Sequence, residues 1–371
     1  HYICSIRPPC RSKYWCVNAK TFPKAAKTAE AAEAAEAERE GFFMKPTKPT
    51  RKAKNQAVSY ALITFSYLYA GTVLRKPFYA GGVPLLGLLT SGGALLVFSY
   101  VCAACFAGHA GRGTRAPSGF FAVVCGMLCT VFCAAILARF LASLAYFDVD
   151  YGKPFVVICA FLACLGITLY AAARTRLCVG GFALLTAIPF LLWTCLGFFA
   201  FFTTKKAFAL TSPLGGFSFR TGLVPLLSET AYVCLDTVFL AVVLCDGQNQ
   251  ETRKLAPRAF LRGTALFLLA VSANLVKNLL LFGQRRAGAA AYPDLAAVRL
   301  VPILDLPELS VMINTFACTV KLSVYAACAV TLLKNAFGAR YNAGAANGCF
   351  AALLSAFCGF FYALRQKAAA N

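Results

Sequence analysis

Five charged side chains stand inside otherwise apolar runs, one of them, Arg139, near the outer end of its run where it could snorkel, and their types set the chemistry open to this chain. Glu229 and Asp236 are seven residues apart, two turns along one helical face. An ionised carboxylate in a bilayer is costly, so it faces a polar cavity or a cation. Glu229 lies a turn or two inside its segment and is open to an interfacial reading; Asp236 is deeper. Lys277 and Lys321 are the candidate counter-charges. Lys321 is too deep to snorkel easily, whereas Lys277, close to Gly283, is read as snorkelling to the interface. Asp305 and Glu308 suit the positive end of a helix that starts there.

A further candidate is a break rather than a charge. Gly71, Arg75, Lys76 and Pro77 interrupt the first apolar run. Either the helix unwinds at Ala70, Gly71 and Thr72, freeing backbone groups that are tolerable only around a cavity, or it ends at Leu74 with the two cations in the interface. Other chemistry is not assembled. The chain has no G-x-S-x-G, Walker or His-rich metal motif, and two His in total, so no enzymatic activity, cofactor or metal site is expected. Most of the 18 Cys fall inside apolar runs, where a free thiol packs as a small hydrophobe.

The elements that must carry these residues follow from composition. Of 371 residues, 60% are hydrophobic and 13% charged, against about 25% charged in a soluble domain. Soluble globules and disordered chains are both excluded. Nine segments reach the roughly 17–25 residues that a membrane helix needs: 57–74, 80–107, 119–147, 154–173, 178–202, 222–245, 263–283, 308–333 and 343–364. The formal charge of +22 resides mostly in short connections, where Lys and Arg orient a membrane protein. Their distribution favours a cytoplasmic N-terminus, and nucleic acid is not an expected partner. Residues 1–56 read as a basic and Ala-Glu-rich tail, of which 1–43, preceding the first Met, Met44, read as an over-extended frame; 57–364 form the membrane domain and 365–371 a short, truncated tail.

Tyr292-Pro-Asp-Leu-Ala-Ala-Val-Arg-Leu-Val-Pro-Ile303 and Val320-Lys-Leu-Ser-Val-Tyr-Ala-Ala327 resemble the spore germination permease family. These are the B subunits of nutrient germinant receptors, related to amino-acid permeases of the APC superfamily. Lys321, Ser323 and Tyr325 match its Val/Ile-Lys-x-Ser-x-x-Tyr-Ala pattern, and Gly71-Thr72 followed by Pro77 is similar to its broken first span. Glu229 looks like the family's sixth-span Glu, although Leu226-Leu227-Ser228 stands where the family has Gly, and nine spans are visible where the family has ten.

The resemblance implies an all-α polytopic membrane protein with a LeuT/APC-like inverted-repeat helix bundle. It also implies a small nutrient, an amino acid, bound at mid-membrane between broken spans 1 and 6. Ala70, Gly71 and Thr72 would meet its carboxylate and Glu229 its amine. Lys321 would pair with a buried acid or occupy the position that a coupling cation fills, and Asp236 is a further candidate ligand residue. Germinant-receptor A and C subunits would be partners in the spore inner membrane of a bacterium. A true amino-acid permease and a purely structural membrane subunit are the alternatives.

Overall fold

A computed structural model describes residues 50–74, 84–111, 119–147, 150–173, 177–204, 219–245, 250–289, 293–299, 307–337 and 342–370. These residues are almost wholly helical. The helices are α1 (Arg51–Leu74), α2 (Pro84–Gly111), α3 (Gly119–Phe147), α4 (Pro154–Ala173), α5 (Leu177–Thr204), α6 (Phe219–Cys245), α7 (Gln250–Ala289), the short α8 (Pro293–Arg299), α9 (Pro307–Phe337) and α10 (Ala343–Ala370). A 3₁₀ turn, Asp150–Gly152, precedes α4. The tail expected over 1–56 is helical from Arg51 onward, and residues 1–49 lie outside the described residues.

Local chemistry sets the helix starts. Four helices open on proline, at Pro84, Pro154, Pro293 and Pro307, where the fixed φ suits the first turn and the missing N–H has no intrahelical role. Thr50 caps α1, its hydroxyl accepting from the Ala53 N–H at 3.4 Å. Asn342 caps α10, its side-chain oxygen accepting from Gly344 and Ala345 at 3.0 and 3.3 Å. Gly283 takes φ 71° and ψ 162°, which a residue with a Cβ resists, and it sets off the last turns of α7 at a kink.

Among the described residues, six segments are long and apolar enough to cross a membrane: Ala53–Leu74, Gly87–Gly108, Ala122–Leu144, Lys254–Gly283, Glu308–Lys334 and Gly344–Lys367. Three further apolar stretches, Pro154–Tyr170, Leu185–Phe199 and Thr230–Leu244, are shorter over their described residues. Side-chain placement is inverted relative to a water-soluble bundle. Phe155, Ile158 and Leu162 on α4 and Leu185, Ile188 and Leu192 on α5 face outward, while Asp236, Lys277, Asn278, Asn314 and Lys321 are buried. The described residues form the all-helical bundle of a polytopic membrane protein.

Close approach of backbones holds the bundle together, because lipid provides no hydrophobic drive between helices. α9 packs most extensively on α3, where Cys133 Sγ lies 3.9 Å from the Leu322 carbonyl oxygen and Gly126 faces Ala329 and Leu333. α1 packs on α7 at Gly263, where an added Cβ would overlap the Ala61 carbonyl oxygen and come within 2.6 Å of Thr64 Cβ.

Taking the nine long helices in chain order, several pairings recur on a shift of five places. α1 with α7 corresponds to α6 with α2, and α3 with α10 corresponds to α9 with α4. The pairs α2–α7, α3–α9, α1–α6 and α4–α10 map onto themselves. α1 additionally packs on α9, with no equally extensive α6–α3 contact.

Candidate functional site

Asp236 of α6 and Lys321 of α9 meet at the centre of the bundle. The Lys321 ammonium donates to Asp236 Oδ2 at 2.5 Å, with 3% of Asp236 and 1% of Lys321 exposed. Tyr325, one turn beyond Lys321 on the same face of α9, donates its hydroxyl to Asp236 Oδ1, and Tyr67 of α1 donates to that oxygen at 3.4 Å. The ammonium also lies 3.8 Å from the centre of the Tyr67 ring, a cation–π placement. Phe132 stacks on Tyr325 at 5.9 Å, and Phe239 meets it edge-on at 5.1 Å, closing the pair off from lipid.

The arrangement follows from physical necessity. Two charges removed from water are tolerable only when paired and when their remaining hydrogen-bonding capacity is filled. Two phenols and one ammonium fill the carboxylate here. Three helices are thereby tied to one acid.

Gly71 makes room for this centre. A Cβ there would lie 3.1 and 3.2 Å from Lys321 Nζ and Cε and 3.7 Å from Asp236 Oδ2. One turn from the ion pair, a cavity of about 80 Å³ is lined by Gly71, Leu74, Ala135, Ile136, Arg139, Tyr232, Lys321 and Arg365.

A second polar centre sits on another side of α1. Tyr69 exchanges a 2.8 Å hydrogen bond with Thr194 of α5 and accepts one, also 2.8 Å, from Asn274 of α7. Lys277 donates to Asn274 at 3.0 Å and pairs with Asp294 of α8 at 3.4 Å, while Asn278 donates to Asp294 at 2.7 Å. Gly197 of α5 lies directly against the Lys277 ammonium, which a larger residue there would have to displace.

The sequence-based expectations fare unequally. Asp236 and Lys321 are brought together. Ala70, Gly71 and Thr72 are not unwound: α1 remains helical through them to Leu74, Ala70 is fully buried, and Thr72 donates to the Tyr69 carbonyl at 2.7 Å. Gly71 therefore serves the approach of Lys321 rather than a break. α6 is likewise helical from Phe219 to Cys245, and the side chain of Glu229 on it lies outside the described residues.

Lys277 does not snorkel; it is 2% exposed and paired within the protein. Glu308 is exposed in the first turn of α9, as a capping role requires, while Asp305 lies outside the described residues. Sequence reasoning missed the roles of Tyr67 and Tyr69, the place of Arg139 at a cavity, and the pairing of Lys277 with Asn274. The i, i+3, i+4 spacing of Asn274, Lys277 and Asn278 in an apolar run was the available signal for that pairing.

No protein-family model matches the chain. Neither a curated protein nor a solved structure matches it.

Proposed function

We propose that this chain is a solute-binding membrane protein of the amino-acid permease type, acting as the nutrient-sensing subunit of a spore germinant receptor. The observation that carries the solute-binding part is the buried Asp236–Lys321 pair, held by tyrosines of α1 and α9 and bordering a cavity. Purely structural charges need no adjoining space, whereas a binding centre does. A small solute entering the cavity meets the pair through Lys321 and Gly71. Because α1, α6 and α9 share the carboxylate, a ligand that competes for Lys321 loosens a three-helix tie. Differential binding of that kind is what shifts a conformational equilibrium.

The five-place recurrence of helix pairings supports a LeuT/APC-like inverted repeat. In a bundle whose successive spans alternate in direction, an odd shift relates helices of opposite orientation, and a tenth span would complete the second half. The germinant-receptor assignment, with its A and C partner subunits and spore inner membrane, rests on the sequence resemblance alone. On that reading the ligand is an amino acid, with Glu229 on its amine.

Nutrient-triggered germination of host spores tests this. Lys321→Ala, Asp236→Asn and Glu229→Gln are each expected to abolish or strongly slow the response with the protein still present in the membrane. Unchanged germination with all three sinks the proposal. Uptake of labelled amino acid by reconstituted vesicles, if seen, reassigns the same site to a permease.

A further inference from the structure

We infer that α8 is a latch on α1: its docking through Asp294 orients a one-way series of hydrogen bonds that reaches Tyr69. The series starts at Asp294, which accepts from the Lys277 ammonium at 3.4 Å. Lys277 also donates to Asn274 Oδ1 at 3.0 Å, and Asn274 Nδ2 donates to the Tyr69 hydroxyl at 2.8 Å. Thr194 gives its own proton to the Phe190 carbonyl at 3.0 Å, so the 2.8 Å bond between Tyr69 and Thr194 is donated by Tyr69. Four elements, α8, α7, α1 and α5, are thereby joined in a single sense.

That sense gives Lys277 a role beyond packing. A primary amide presents an acceptor oxygen on one side and an NH2 donor on the other, whereas an ammonium can only donate. Lys277 therefore holds the Asn274 oxygen toward itself and turns the NH2 to Tyr69. Asn274 is 4% exposed and Lys277 2%, so water does not stand ready to replace a lost partner. When the ammonium moves away, the amide loses what sets its orientation, and Tyr69 loses its donor.

α8 is the weak end of the series. Seven residues are too few for a helix to persist alone. α8 is held by the buried Pro293, Ala297 and Val298 and by Asp294, which also accepts from Asn278 at 2.7 Å. The Asp294 side chain is 28% exposed against 1% for Lys277, so the pair meets solvent on the α8 side, while Gly197 of α5 lies against the ammonium. Lifting α8 strands a buried ammonium, the costly outcome for a pair of this kind. Undocking of α8 and release of Tyr69 are one event.

Tyr69 lies two residues from Tyr67, which donates to Asp236 of the α6–α9 centre at 3.4 Å, within an unbroken helix. α8 and the ion pair thus hold α1 on different sides, and by linkage each biases the other. The latch stands on these contacts alone; its use as a regulator of solute binding rests on the reading proposed above.

Hydrogen–deuterium exchange of the full chain in lipid nanodiscs reads the docking of α8, with the amides of α9 as the reference for an intact bundle. Asp294→Asn is expected to speed exchange in α8 about tenfold or more, because Lys277 is left unpaired. Gly197→Ala is expected to act in the same direction from α5, since its added methyl group must displace the ammonium. Tyr69→Phe removes only the hydroxyl that Asn274 binds, and is expected to speed α8 exchange about fivefold, the worth of one hydrogen bond. A residue of merely local importance on α1 would leave α8 unchanged. Tyr67→Phe is expected to shift α8 exchange about threefold or more, and to lose that effect in a Tyr69→Phe background.

Unchanged α8 exchange in folded Asp294→Asn and Gly197→Ala proteins overturns the latch. Wild-type α8 exchange in Tyr69→Phe removes α1 from it. A Tyr67→Phe effect that is absent, or that persists without the Tyr69 hydroxyl, overturns the link to the ion pair. Variants on three different helices keep the test decidable when one of them fails to fold. No solute enters these measurements, so the latch can fail while the solute-binding reading stands, and unchanged germination in the ion-pair variants can sink that reading while the latch stands.

Discussion

At the residue scale, the Asp236–Lys321 centre makes a prediction that its components alone would not. Removing one member strands the other in a site closed by Tyr67, Tyr325, Phe132 and Phe239. Asp236→Asn and Lys321→Met are each expected to destabilise the bundle by about 3–5 kcal/mol. The double variant should recover a large part of that loss, because no uncompensated charge remains. Unfolding in mixed micelles measures it, and single-variant losses that simply add would show that the two residues do not communicate. Gly71 belongs to the same account. Its missing Cβ is what lets the Lys321 stem lie along α1.

At the element scale, the crossing of α1 and α7 depends on one position. At Gly263 a methyl group would meet the Ala61 carbonyl oxygen, which is backbone and cannot rotate away. Gly263→Ala is therefore expected to destabilise by about 1–3 kcal/mol, the range for forcing an extra carbon into a packed interior. Gly93 on α2 is the internal control, since a Cβ there meets nothing within 4 Å. Gly93→Ala should be neutral or slightly stabilising, as alanine favours helix over glycine by up to about 1 kcal/mol. Thermal midpoints of the two variants should move in different directions, and equal shifts would refute the close crossing.

α1 also stands between two polar centres, with Tyr67 on the α6–α9 side and Tyr69 on the α5–α7 side. Two residues apart on a helix point away from one another. One helix can thus be pulled by either centre.

At the scale of the whole molecule, orientation follows from loop charge. A cytoplasmic N-terminus places the α2–α3 connection inside and the Asp150–Lys153 connection outside. Alkaline phosphatase fused after Lys153 should be active, and fused within 112–118 inactive, with the converse for a fluorescent protein that matures only in the cytoplasm. The reversed pattern would invert the topology and place the Arg139 cavity on the cytoplasmic side. The cavity's mouth lies toward the C-terminal ends of α1, α3 and α10, which share one side of the bundle in any alternating arrangement.

The sequence by itself determined the membrane class, the helix positions and the identity of the charges that had to be explained. It did so because a bilayer admits backbone only as hydrogen-bonded helices of a minimum apolar length, which composition records directly. Nine expected segments coincide with nine long helices among the described residues, six of which meet the crossing criterion.

Pairing was decided only in three dimensions. Asp236 and Lys321 are 85 residues apart, and nothing in their own segments specifies one another. Lys277 looked close enough to a helix end to reach the interface, but α5 and α8 cover it and Asp294 holds it. Gly71 had two physical meanings, a break or a close approach, and a neighbour on another helix chose between them. Arg139 was ambiguous for the same reason: whether a cation in a span snorkels or lines a cavity depends on which helices stand beside it.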